Sequence, residues 1–399
     1  MQDPQQNRRP SPAAPAGAAP ITGDATRMLE TILQHAALAA ASDVHLEPKA
    51  DGLFIRFRID GEMREHGRIP LSLRDPLLAR GKIFGGMDIT EKRLPQDGRA
   101  VLTVEGKKFH LRLSTVPTVH GESLVVRLLD QSMPAQPLGQ LGFTGRQEAA
   151  VRTALSGPAG LILLTGPTGS GKTTTLHATL HTFDHRARVI HTLEEPVEYE
   201  FPGIRQTEIR EKIGLTFAGT LRALLRQNPD ILLVGETRDA ETAQLAIRAA
   251  LTGHLVLSTL HTNDALAAIP RLLDLGVEPF LLAAALRLVG AQRLVRRLCP
   301  ACRAPHPENH RLCREHALPD GHFHCAVGCP ECHQKGYRGR LAIHEVVPAG
   351  RFLPLIAARS PLGELTALRE REGLMTLWQH GLAAAGQGLT TIEEVARVL

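Results

Sequence analysis

Apolar positions change their period along this chain, and the change divides it. From Thr26, the residues Met28, Leu29, Ile32 and Leu33 recur at the spacing of one helical face. Leu53, Ile55, Phe57 and Ile59 alternate with Phe54, Arg56, Arg58 and Asp60, a strand pattern, and Asp60-Gly61 supplies the turn of a hairpin. A second hairpin is predicted where Ala100–Val104 meets Lys108–Leu113 across Glu105-Gly106, with Leu124–Leu128 as a further strand. Strands outnumber helices over 26–130, which predicts a small α+β domain. Residues 131–145, with Pro134, Pro137, Gly139, Gly142 and Gly145, read as a linker. From Arg146 the pattern alternates. Short apolar runs at Leu161–Thr165, Val189–Leu193, Ile231–Gly235 and Leu255–Leu260 are separated by helical faces, among them Phe217, Leu221, Leu224 and Leu225, and Ala243, Ile247, Ala250 and Leu251. Apolar strands joined by helices predict a parallel sheet covered on both faces, so 146–399 is of the α/β class. It includes a Cys/His-rich insertion over 298–340 and a helical C-terminal stretch. Residues 1–25, carrying Pro4, Pro10, Pro12, Pro15 and Pro20 among Ala and polar residues, predict a disordered tail.

Composition narrows the class. With 399 residues, 43% of them apolar, the chain has enough material for a sizeable core and more than one domain. Lys plus Arg (46) against Asp plus Glu (41) leaves a mild +5, which is compatible with lipid or nucleotide partners and does not demand nucleic acid. No run of about 18 apolar residues lacks charge, and no short apolar run follows Arg8 and Arg9, so neither a membrane span nor a secretory signal is expected. Six cysteines, four of them in two CxxC pairs, point to metal in a reducing cytoplasm rather than to a disulfide scaffold.

The strongest chemical signal follows the run Leu161–Thr165. Gly166-Pro-Thr-Gly169-Ser-Gly171-Lys172-Thr173 matches GxxxxGK[ST] and opens a predicted helix. Glycines permit the tight wrap that turns backbone N–H groups onto phosphate, and the helix N-terminus adds partial positive charge. Gly166, Thr168, Gly169, Ser170, Gly171, Lys172, Thr173 and Thr174 are therefore the candidate nucleotide-binding residues, with Lys172 on the β- and γ-phosphates and the Thr173 hydroxyl on Mg²⁺. Ile231-Leu-Leu-Val-Gly-Glu236 is a hydrophobic strand ending in a carboxylate, placed to orient or deprotonate an attacking water. Glu194, in Leu193-Glu194-Glu195-Pro196, is a candidate for a Mg²⁺-linked role, and His261 lies just past another strand.

Taken in order, these segments resemble the secretion-ATPase superfamily, specifically the type II secretion and type IV pilus assembly ATPases. The motifs that carry the resemblance are GPTGSGKTTTL (166–176), TLEEPVEYE (192–200), GLTFAGTLRALLRQNPDILLVGETRDAETA (214–243) and LTGHLVLSTLHTND (251–264). Upstream, ASDVHLEP (41–48), RFRIDG (56–61), MDITEKRLPQDGR (87–99) and RLSTVPTVHGESLVVRLLD (112–130) extend it. The resemblance implies a RecA-like ATPase domain with a smaller N-terminal α+β, PAS-like domain. It implies Glu236 as catalytic base, Glu194 in an acidic box and His261 in a histidine box. It further implies that Arg99 and Arg112 reach the γ-phosphate, a task suited to guanidinium. Two departures stand out: the acidic box reads Glu194-Glu195-Pro196 where Glu-Asp-Pro is usual, and Thr237 follows Glu236 where Ile is common. Relatives also often carry a further N-terminal domain that docks on an inner-membrane partner, whereas here the Pro-rich residues precede Ala25.

Cys299-Pro-Ala-Cys302 and Cys329-Pro-Glu-Cys332, separated by 26 residues, have the spacing of a Cys₄ structural Zn²⁺ site, with Cys313, Cys325, His310, His322, His324 and His333 as nearby competitors. Retraction ATPases of pili generally lack such a cluster, so the resemblance favours the assembly branch. Arg287, Arg293, Arg296, Arg297 and Arg303 form a basic stretch without interleaved aromatics, read as a solvated or subunit-facing surface and not as a nucleic-acid site. The expectation is a cytoplasmic homo-hexameric Mg-ATPase, peripheral to the inner membrane, that drives a platform protein to add pilin or pseudopilin. The alternatives are a nucleic-acid-translocating P-loop ATPase and a scaffold that binds ATP without turning it over.

Overall fold

Asp24 starts the first helix: its carboxylate accepts from the Arg27 N–H at 2.9 Å, and Ala25–Leu38 buries Met28, Leu29, Ile32, Leu33 and Ala36 along one face. The computed structural model describes residues 24–130, 136–318 and 321–399, and the chain divides into two units, 1–133 and 134–399. Of the tail expected over residues 1–25, residues 1–23 lie outside the described residues, as do linker residues 131–135, whereas Asp24 and Ala25 begin the first helix.

In the first unit, β1 (Asp43–Lys49), β2 (Gly52–Ile59), β3 (Glu62–Pro70), β4 (Gln96–Val104), β5 (Lys107–Thr118) and β6 (Gly121–Asp130) form one antiparallel sheet in the order β3-β2-β1-β6-β5-β4. Both predicted hairpins are present. Their turn pairs, Asp60 (φ 50°) with Gly61 (84°) and Glu105 (48°) with Gly106 (77°), take the left-handed conformations that match strand twist. Phe54, on the polar side of the predicted alternation, is nevertheless buried, its ring lying between Lys49 and Arg68 at 3.9 and 4.2 Å. The helix Leu71–Phe84 was not anticipated, because Pro76 interrupts its pattern. It seats closely on the sheet: a Cβ at Gly81 would lie 2.4 Å from Leu124 Cδ2. Its Lys82, fully buried, pairs with Glu122 at 2.5 Å and donates to the Glu91 carbonyl at 2.6 Å.

The second unit carries β7 (Gly160–Thr165), β8 (Ile190–Glu194), β9 (Arg205–Glu208), β10 (Ile231–Val234), β11 (Leu255–Leu260), β12 (Leu286–Leu298), the two-residue β13 (Ala304–Pro305) and β14 (His324–Cys325), and β15 (Tyr337–Pro348). Its main sheet has the order β15-β12-β7-β11-β10-β8-β9, parallel throughout except for β15. Alternate residues feed two separate apolar clusters. Leu161, Leu163, Leu232 and Val234 enter one, and Ile162, Leu164, Ile231 and Leu233 the other. Both faces are therefore covered, as the run of apolar strands required. Leu138 and Leu141, within the stretch read as linker, are buried in the second of these clusters.

Of the basic stretch read as a surface, Arg287, Arg293, Arg296 and Arg297 lie on strand β12; Arg287 and Arg297 are exposed, as that reading expects, whereas Arg293 and Arg296 turn inward. Arg293 is 7% exposed and donates to the Gln292 and Asn263 carbonyls at 3.0 and 2.7 Å. Arg296 stacks on Tyr337 at 4.2 Å and pairs with buried Glu394 at 2.7 Å. Guanidinium groups with such partners can line a strand that charge alone would place in water.

Candidate nucleotide site and thiolate cluster

The parallel strands deliver the candidate residues to one edge of the sheet, at their C-terminal ends, where ligands of open α/β sheets bind. After β7 the chain wraps through Gly166 (φ 147°), Gly169 (77°) and Gly171 (85°), conformations that side-chain-bearing residues rarely adopt. Space enforces the choice too. A Cβ at Gly166 would lie 2.6 Å from the Gln292 carbonyl oxygen, and one at Gly171 2.7 Å from Gln292 Nε2. Gln292 on β12 is thus the floor of the loop: it donates to the Ser170 carbonyl at 2.8 Å and accepts from Thr175 Oγ1 at 2.8 Å.

Lys172 opens the helix Lys172–Leu180, and its ammonium donates to the Gly166 and Pro167 carbonyls at 2.6 and 3.0 Å. Burial pushes its pKa down to about 8; the negative charge of Glu236 opposes that shift and the positive charge of Arg293 adds to it. Ser170 Oγ is buried without a hydrogen-bond partner, close beside Gly166. These features fit a nucleotide phosphate, with the half-buried Thr173 placed on the first helical turn to hold Mg²⁺. Thr174 is exposed.

Glu236 follows β10 and is held at both oxygens. Arg238 Nη2 reaches Oε2 at 2.8 Å and His261 Nε2 reaches Oε1 at 3.0 Å. Arg238 Nη1 also reaches Glu195 Oε2 at 2.8 Å. The structure thus joins Glu236 and His261, and the acidic-box residue linked to Glu236, through Arg238, is Glu195. Glu194 turns inward instead. It is 4% exposed and accepts from Thr192 Oγ1 at 2.6 Å and Gln206 Nε2 at 3.0 Å, with His177 Nε2 3.2 Å from its other oxygen. Burial alone would raise its pKa, but His177, Thr192 and Gln206 outweigh burial and lower it.

In the first unit, Arg99 and Arg112 stand opposite one another across β4 and β5, and Arg127 on β6 continues the row. Arg127 donates to Asp43 at 2.9 Å.

Among the described residues, the one metal-compatible group of histidine, cysteine and carboxylate side chains is Cys299, Cys302, Cys329 and Cys332, whose sulfurs lie within 4.8 Å of one another. Three sulfur pairs are 3.9, 3.7 and 3.8 Å apart. Tetrahedral Zn²⁺ with Zn–S bonds of about 2.3 Å requires sulfur separations of about 3.8 Å. The Gly336 and Cys329 N–H groups point at Cys332 Sγ (3.1 and 3.2 Å) and the Gly328 N–H at Cys302 Sγ (3.3 Å), which suits thiolates. Cys313 donates to the Gly321 carbonyl, outside the cluster.

A family profile described as type II/IV secretion system protein matches residues 19–397. The chain belongs to that family. It is 47% identical over 376 residues to type II secretion system protein E of Aeromonas hydrophila, covering 93% of this chain and 75% of that protein. It is 46% identical over 377 residues to the type IV pilus assembly ATPase PilB of Myxococcus xanthus, covering 92% and 67%. Among solved structures, the pilus retraction motor PilT with bound ADP superposes with TM-score 0.62 at 26% identity, covering 92% of this chain and 96% of that one. The ATPase DotB of Legionella pneumophila superposes with TM-score 0.68 at 19% identity, covering 93% and 95%, a likeness of fold.

Sequence reasoning missed Arg238, Glu195 and Gln292, which touch the candidate residues. Arg238 lies two residues past Glu236 in a quoted motif, so proximity was a usable signal. Gln292 carries none without strand pairing.

Proposed function

We propose that this chain is a Mg²⁺-dependent ATPase that powers assembly of a type II secretion pseudopilus or a type IV pilus. The observation that supports it is the alignment of a phosphate loop on β7 with a carboxylate on β10 whose charge acts on Lys172. Lys172 leaves its loop carbonyls for the β- and γ-phosphates, and the loop N–H groups hold the remaining oxygens. Thr173 would hold Mg²⁺, which would supply positive charge beside the phosphates. Glu236 takes a proton from water as its oxygen bonds to the γ-phosphorus and the bridging bond to ADP breaks. His261 and Arg238 orient Glu236. Arg99 and Arg112 supply guanidinium to the γ-phosphate, and Glu194 anchors the acidic box. The first unit is PAS-like and the second RecA-like. Six copies form a ring at the cytoplasmic face of the inner membrane, where a platform protein passes the stroke to pilin or pseudopilin. The four cysteines would hold Zn²⁺, which would tie the insertion together. No helix among the described residues is long and apolar enough to cross a membrane, which fits recruitment through a partner.

Complementation of a strain lacking this gene tests the reading. Wild type restores surface fibres or secretion and Lys172→Ala does not; restoration by Lys172→Ala would refute a motor.

A further inference from the structure

Glu195 is where this chain departs from the usual Glu-Asp-Pro box, and its side chain does something local sequence does not announce. β8 and β10 are parallel neighbours, with Leu193 paired to Val234 and the Gly235 N–H donating to the Leu193 carbonyl at 2.7 Å. A Cβ at Gly235 would lie 2.8 Å from that oxygen, so glycine brings the two strand ends together. The carboxylates of Glu195 and Glu236 therefore emerge side by side and repel. Arg238 stands between them, giving Nη1 to Glu195 Oε2 and Nη2 to Glu236 Oε2, both at 2.8 Å.

We propose that Glu195 is a positioning residue for ATP hydrolysis, which acts by dividing the Arg238 fork so that Glu236 receives a single arm of it. An unshared guanidinium prefers a bidentate pair with one carboxylate, the stronger and more rigid arrangement. That pair would take the lone pairs that Glu236 needs for water and make it a weaker base. Glu195 occupies one arm at a distance a glutamate can span, and His261 Nε2, 3.0 Å from Oε1, fixes the other side of Glu236. Glu195 does not touch the nucleotide; its influence passes wholly through Arg238. The inference rests on the ATPase reading above.

A double-mutant cycle tests it on the full-length protein. Glu195→Ala in the wild-type background is expected to lower kcat for ATP about tenfold, with KM for ATP within twofold. In the Arg238→Ala background the same change is expected to alter kcat by less than twofold. Glu195→Gln, whose amide oxygen still accepts from Arg238, should recover part of the loss. Thermal unfolding of each variant shows that it is folded. An equal fold-loss in both backgrounds, or a loss confined to KM, would overturn the inference. Wild-type turnover no faster than that of Glu236→Gln would instead overturn the ATPase reading itself, so the two failures are distinguishable.

Discussion

Glu194 offers the sharpest test of how the site is built. Its carboxylate serves three donors in a buried pocket: Thr192 Oγ1 at 2.6 Å, Gln206 Nε2 at 3.0 Å and His177 Nε2 at 3.2 Å. His177 stands on the helix that Lys172 opens, so this carboxylate ties the phosphate-loop helix to the end of β8. Glu194→Ala leaves the buried Thr192 hydroxyl and His177 ring without this acceptor, while the part-buried Gln206 amide keeps the Tyr199 carbonyl at 2.8 Å. Each unsatisfied buried donor costs about 1–3 kcal/mol. The donors share one pocket and are not additive, so about 3–5 kcal/mol is the expected loss. For a unit of this size that lowers Tm by about 6–20 °C. Circular dichroism melts without nucleotide measure it, and Glu194→Gln, which keeps one acceptor oxygen, should fall between. Because the folded-state pKa is lowered, the stabilisation is full above the ordinary glutamate value and fades as pH drops through the folded one, so the gap between wild type and Glu194→Ala narrows in acid. A Tm unchanged within 2 °C alongside a collapse of kcat would refute the anchoring role and assign Glu194 to the chemistry.

Three further outcomes follow from the same geometry. With Lys172 near pKa 8 before phosphate raises it, ATP binding at pH 9 should take up a proton and weaken as pH rises past 8; calorimetry in buffers of different ionisation enthalpy reads the uptake, and zero uptake contradicts it. His344 is wholly buried, its Nε2 2.8 Å from the Leu141 carbonyl, and burial holds its pKa down at about 3. Its stabilising contribution is full above about pH 6.5 and is lost as pH falls towards 3, about 2–3 kcal/mol by pH 4.5, and His344→Gln should flatten that part of the stability profile. Purified protein should carry one zinc per chain by elemental analysis, lost in Cys332→Ser with a lower melting temperature; metal-free protein that melts unchanged contradicts the site.

How much was legible beforehand depends on how local the signal is. The phosphate loop, the two hairpins and the apolar strands of the parallel sheet are written in consecutive residues, and period and turn chemistry suffice to read them. The cysteine cluster is equally local, two CxxC pairs whose sulfurs meet at tetrahedral spacing. Strand β12 was hidden by its arginines, because the buried Glu394 and the ring of Tyr337 that receive Arg296 lie far away in sequence. The helix Leu71–Phe84 was hidden by Pro76 and by Lys82, a residue that reads as solvated until Glu122 is brought to it. In the acidic box both glutamates look alike in the sequence. Only the pairing of β8 with β10 separates an inward anchor, Glu194, from an outward partner of Arg238, Glu195.

Phosphate release from Mg·ATP, followed for wild type and Glu236→Gln under the same conditions, bears most directly on the function. Wild type should turn over continuously, and Glu236→Gln should bind ATP with similar affinity yet hydrolyse it about 10²–10⁴-fold more slowly. Equal rates for the two proteins would contradict Glu236 as the base and, with it, the motor built around that carboxylate.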